Sequence, residues 1–152
     1  MNNSKRRLYI AYGSNLNLEQ MSRRCPTAKV AGTSMLTGWR LMFRGGKTNA
    51  VATIEPFDDS CVPVLVWELQ PRDEKALDVY EGYPILYRKN TLRVTLDGEE
   101  VDAMVYIMNG SGRYGQPNLF YFNAIYAGYM DAGFDINILY RALLDTGRAV
   151  VH

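Results

Sequence analysis

The chain has 152 residues, 47% of them hydrophobic and 22% charged, with a formal net charge of +1, which suits one soluble domain with a sizeable core, spanning 1–152. A balance this close to neutral argues against nucleic acid or an anionic membrane as the main partner. Two cysteines, Cys25 and Cys61, and the single terminal His152 build neither a disulfide framework nor a zinc constellation, and a Ser–His or Cys–His nucleophile would have to recruit His152.

The basic Lys5-Arg6-Arg7 reads as a solvated terminus. Leu8 to Tyr12 is a short apolar run of strand formers that stops on Gly13-Ser14-Asn15. A helix follows over roughly Leu18 to Cys25, with Asn15 or Asn17 as its N-cap, and Pro26 ends it. Ala28 to Arg44 alternates like a strand, most clearly over Trp39 to Phe43. Gly45 to Asn49 is a turn and lacks the upstream glycine and following helix of a phosphate-binding loop. Ala50 to Ile54 and Cys61 to Leu69 read as two strands around a Glu55–Ser60 turn. Pro71 to Glu81 switches to helical period, with Pro71 at the first position, Ala76, Leu77 and Tyr80 as a buried stripe and Gly82 as the stop. Leu86 to Leu96 and Val101 to Met108 are strands joined at Asp97-Gly98. Asn109 to Gln116 is a glycine-rich loop that could act as a lid. Leu119 to Met130 and Ile136 to Leu144 are closing helices, with Gly147 ending the second. Roughly six or seven strands with helices at the start, middle and end predict an α+β fold on a closed or partly closed sheet. No run of about 18 apolar residues and no signal-peptide pattern occurs, so a membrane is not expected as partner and a cytoplasmic, reducing setting is the default.

Two places carry chemistry. A strand that ends in Gly-Ser-Asn and opens into a helix can point several backbone N–H groups at one spot, which suits a carboxylate, a phosphate or an oxyanion. Gly13 would supply unusual torsions and close approach, and Ser14 and Asn15 side-chain donors. The plainer reading is a capped helix and nothing more. Glu81 sits at a helix C-terminus, where the negative end of the dipole should raise its proton affinity and make it a better acid/base near neutral pH. The plainer reading there is a solvated glutamate at a frayed end. Glu55, Glu68, Asp97, Glu99 and Glu100 read as solvated or capping acids.

Together, Tyr12-Gly13-Ser14-Asn15-Leu16, Ala50 to Ile54, Val64 to Leu69, Leu77 to Gly82, Tyr87 and Pro117 to Tyr121 resemble the γ-glutamylcyclotransferase family, including its AIG2-like relatives and those acting on γ-glutamylamines. The likeness runs from about Leu8 to Leu144. It implies a small mixed β-barrel flanked by helices with a pocket at its mouth. The amides of Gly13, Ser14, Asn15 and Leu16, with Tyr12, would cradle a glutamyl group, Glu81 would be the catalytic acid/base, and Tyr87 and Tyr121 would line the pocket. Gly82 to Ile85 would shape it for the leaving amine. The implied reaction converts a small-molecule γ-glutamyl amide to 5-oxoproline and a free amine without metal or cofactor, in a monomer or homodimer. The rival is a non-catalytic small-ligand-binding module that keeps the barrel and the anion cradle.

Overall fold

The structure is a computed structural model that describes residues 7–110 and 112–151, so Lys5, Arg6 and His152 lie outside the described residues. Five strands form one mixed sheet: β1 (Arg7–Ala11), β2 (Lys29–Arg44), β3 (Val51–Leu69), β4 (Tyr87–Leu96) and β5 (Glu99–Met108), in the order β2-β3-β1-β5-β4. The central strand β1 runs antiparallel to β3 and parallel to β5. Four helices flank the sheet: α1 (Leu18–Arg24), α2 (Pro71–Glu81), α3 (Leu119–Ala132) and α4 (Ile136–Val151). Val62 to Trp67 are buried without alternation, as expected of a strand covered on both faces. Arg7 opens β1 and pairs with Glu74 at 2.9 Å.

The fold class is α+β, as the order of elements predicts, but the sheet is not the closed barrel implied by the resemblance. Strands β2 and β4 are its two edges. They meet through side chains, not a ladder: a Cβ on Gly32 of β2 would lie 2.8 Å from Leu96 of β4. Nor are there six or seven strands among the described residues. The segments on either side of Glu55–Ser60 are one strand, because the turn residues are absorbed as a bulge. Thr37 pairs with Cys61 and Trp39 with Pro56, so residues 57–60 stand opposite Gly38 alone. Gly38 (φ 85°) and Asp59 (φ 65°) take the left-handed torsions that such a bulge needs.

The helix signals act largely as read. Asn17 caps α1, its side chain accepting from Gln20 N at 2.9 Å. Helix α2 starts with a capping box of Gln70 and Asp73 and stops at Gly82, whose φ of 67° ends the helical path. Asp97 and Gly98 both have positive φ in the β4–β5 hairpin. Gly147 does not end α4, which continues to Val151. Packing overrides the propensity there: Leu139, Ala142 and Thr146 are buried, and Thr146 Oγ1 accepts from Phe43 N of β2 at 3.1 Å. Cys25 and Cys61 are free thiols. Among the described residues no helix is long and apolar enough to cross a membrane, and no group of three or more His, Cys, Asp or Glu could hold a metal.

Helix α3 lies directly on the bend that follows β1. A Cβ on Gly128 would sit 2.5 Å from Leu16 Cβ and 2.8 Å from its backbone. Gly128→Ala should therefore destabilise the protein by about 1–3 kcal/mol despite the better helix propensity of alanine, read as a lowered urea midpoint. An unchanged or raised midpoint would show that α3 can back away from the bend.

Candidate active site

The bend is a single 3-10 turn, Ser14–Leu16, set between β1 and α1. Its own hydrogen bonds engage the N–H of Leu16, which donates to Gly13 O, and that of Asn17, which donates to Ser14 O, both at 3.0 Å. The amides of Gly13, Ser14 and Asn15 are not used by those two bonds. Leu16 thus drops out of the expected cradle: its amide closes the turn and its side chain is buried in the core. Gly13 has φ −120°, so glycine is not required there by a left-handed torsion. Room there is tight: a Cβ would lie 3.1 Å from Ala52 Cβ, which would have to give by a few tenths of an ångström, and 3.5 Å from the Tyr121 hydroxyl.

A cavity of about 230 Å³ opens beside this bend. It is lined by Tyr12, Gly13, Ser14 and Asn15, by Tyr80 and Glu81 from the end of α2, and by Tyr87 and Tyr121. The structure therefore brings together Tyr12, Gly13, Ser14, Asn15, Glu81, Tyr87 and Tyr121, and leaves Leu16 outside. The Gly82–Ile85 segment does not line it. Ile85 is 85% exposed, and only Leu86, just beyond, reaches the cavity. The 109–116 loop is also elsewhere. Gly45 N donates to Arg113 O and Gln116 N to Lys47 O, tying that loop to the β2–β3 connection rather than leaving it poised as a lid.

The phenols are mostly committed to backbone. Tyr12 donates to Tyr106 O at 2.6 Å and Tyr87 to Ala52 O at 2.6 Å. Tyr121 accepts from Ala52 N at 2.9 Å, which leaves its proton for another acceptor. Ser14 Oγ and the Tyr80 hydroxyl share a hydrogen bond of 2.8 Å. Burial pushes the Tyr9, Tyr12, Tyr87, Tyr106 and Tyr121 phenols above the ordinary tyrosine range. They can donate hydrogen bonds at neutral pH but cannot serve as bases.

Glu81 behaves differently. Its carboxyl rises from 4.5 to about 7, chiefly because burial strips water from the charged form, while the Arg24 guanidinium pulls the other way. The direction matches the sequence reading, and its largest cause is desolvation. Asn15 Nδ2 donates to Tyr9 Oη at 2.8 Å and reaches Glu81 Oε2 at 3.5 Å. Asn15 is itself held from two more sides, with Oδ1 accepting from Arg24 and its backbone carbonyl accepting from Trp67 Nε1 at 3.1 Å. The Arg24 guanidinium lies 3.5 Å over the Tyr80 ring.

Tyr9, Arg24, Trp67, Tyr80 and Tyr106 were not legible as site residues. Each looks like packing or a solvated charge in its own segment. Only Tyr80 carried a signal, as the neighbour of Glu81 at the helix end.

The gamma-glutamyl cyclotransferase, AIG2-like family pattern matches residues 9–122. A solved structure described as a gamma-glutamyl cyclotransferase is 26% identical, with 90% of this chain and 86% of that chain covered and a TM-score of 0.80. An uncharacterized protein from Homo sapiens is likewise 26% identical, with 91% and 86% covered and a TM-score of 0.81. A yeast gamma-glutamyl cyclotransferase specific to glutathione shares the fold at 13% identity, with 96% and 97% covered and a TM-score of 0.65. No curated protein sequence matches significantly.

The raised Glu81 carboxyl has a consequence for stability. The native state holds that proton more tightly than the unfolded chain, so native stability falls as pH climbs from about 4.5 through about 7. Glu81→Gln removes this loss. Its urea midpoint relative to the parent should be more favourable at pH 8 than at pH 5. An equal difference at both pH values would show that water reaches the carboxyl freely.

Proposed function

The chain belongs to the gamma-glutamyl cyclotransferase, AIG2-like family, and on that premise we propose that it cyclises a γ-glutamyl amide to 5-oxoproline, with Glu81 as general acid/base. The observation that carries this reading is a half-buried carboxyl, titrating near 7, that shares a glutamyl-sized cavity with the amide-bearing bend after β1.

A γ-glutamyl amide holds its own nucleophile, the α-amino group, which can close a five-membered ring on the γ-carbonyl. At neutral pH that amine is largely protonated and cannot attack. Ionised Glu81 takes one proton from it. The nitrogen then bonds to the γ-carbon, and the tetrahedral centre carries negative charge on oxygen. Glu81 returns the proton to the departing nitrogen as the original C–N bond breaks, and the ring nitrogen gives up its second proton, which ends on the released amine as an ammonium group and leaves Glu81 ionised again. Atoms and charge balance with no oxidant, metal or cofactor.

The amides of Gly13, Ser14 and Asn15, with the Tyr121 hydroxyl proton, are the donors at hand to hold the substrate carboxylate or the developing oxyanion. A pKa near 7 suits a group that must both accept and give a proton. A module that only binds its ligand has no use for such a carboxyl.

Glu81→Gln should lower turnover about 10²–10⁴-fold across a panel of γ-glutamyl amino acids, γ-glutamylamines and γ-glutamyl-lysine compounds, scored by 5-oxoproline release, while ligand binding persists. In the parent protein kcat/KM should rise with pH through about 7, because the base must be ionised to act. Undiminished 5-oxoproline release by the variant would remove Glu81 from the reaction.

A further inference from the structure

A second depression continues outward from the cavity. It has a volume of about 490 Å³ and is lined by Gln20, Arg23, Arg24, Tyr80, Phe120 and Tyr121. Tyr80 and Tyr121 line both spaces, so whatever leaves the glutamyl cavity past these two rings enters this groove. One wall is apolar: Phe120 is 80% exposed. Another is cationic.

The two arginines are not equivalent. Arg23 is paired with Glu19 at 2.6 Å. Arg24 is held by neutral groups: the Asn15 and Gln20 side-chain oxygens and the Tyr80 ring. Among the described residues no carboxylate lies within ion-pairing distance of Arg24. Its charge is felt by Glu81 without an ion pair between them. Two neutral acceptors leave most of the guanidinium donors over, in a fork geometry that suits a carboxylate. Stacking on Tyr80 holds the planar group in place.

We infer that Arg24 is a specificity residue that reads a carboxylate on the leaving amine, so that the preferred substrates are γ-glutamyl amino acids or peptides rather than γ-glutamyl derivatives of simple amines. The inference rests on the reaction proposed above and adds the identity of its leaving group. The glutamyl half sits against the bend, the scissile amide lies between Glu81 and the two tyrosines, and the amino acid's carboxylate reaches Arg24 while its side chain lies along Phe120.

The test compares γ-glutamylalanine with γ-glutamylethylamide, which differ only by that carboxylate. The parent protein should favour γ-glutamylalanine in kcat/KM by about tenfold or more, the worth of one charge-assisted hydrogen bond. Arg24→Gln should bring the ratio to about one, whatever it does to either rate through Asn15. Arg24→Lys should keep part of the preference, since the charge remains and the fork is lost. The ratio in the parent protein needs no variant to fold. Equal kcat/KM on the two compounds, or a preference that survives in Arg24→Gln, overturns this inference and leaves the reaction standing. Absence of 5-oxoproline from both compounds overturns the reaction and the inference together.

Discussion

The site depends on keeping the Glu81 carboxyl away from water. A carboxylate in bulk solvent is too weak a base to remove a proton from an ammonium group, and a deeply buried one stays protonated. Glu81 lies between these limits. It sits at the last position of α2, where Gly82 turns the backbone away, and its head faces a cavity walled by tyrosine rings. Arg24 and Asn15 keep the charged form accessible, the first by its field and the second as a donor 3.5 Å away. Burial and these polar groups oppose each other and leave the proton close to balance near neutrality.

That balance is held by the sheet. Strand β1 is central, and Asn15 follows it by a few residues. Tyr9 of β1, Trp67 of β3 and Arg24 of α1 all bond to Asn15. Ala52 of β3 bonds through its carbonyl to Tyr87 of β4 and through its amide to Tyr121 of α3. Each pocket side chain is thus fixed by a partner from a different element. A rigid surround of this kind is what a donor array needs if it is to meet developing charge without first rearranging. The close seat of Gly128 on Leu16 belongs to the same logic, since it holds α3, and with it Tyr121, against the bend.

Burial raises the Glu81 carboxyl into the neutral range. The Tyr9, Tyr12, Tyr87 and Tyr121 phenols move further from it, for the same desolvation that brings Glu81 into it. One physical cause therefore separates the roles: the acid becomes a workable base and the phenols become permanent donors.

The spacing of residues alone determined where most elements begin and end. Asn17, Pro71 and Gly82 act through torsions and hydrogen bonds within a few residues, and such signals survive in any fold. The Gly-Ser-Asn bend and the acid before a helix-stopping glycine were visible for the same reason. Failures of the local reading are failures of locality. The Glu55–Ser60 turn became a bulge because β2 was there to pair on both sides of it. Gly147 remained helical because α4 is packed against β2. Leu16 turned inward because α3 rests on it. The tertiary structure alone decided that Arg24, Tyr9 and Tyr80 would gather at Asn15, Ser14 and Glu81, and how far burial would raise the acid's proton affinity. Desolvation depends on what the rest of the chain places over a group, and no window of neighbouring residues contains that information.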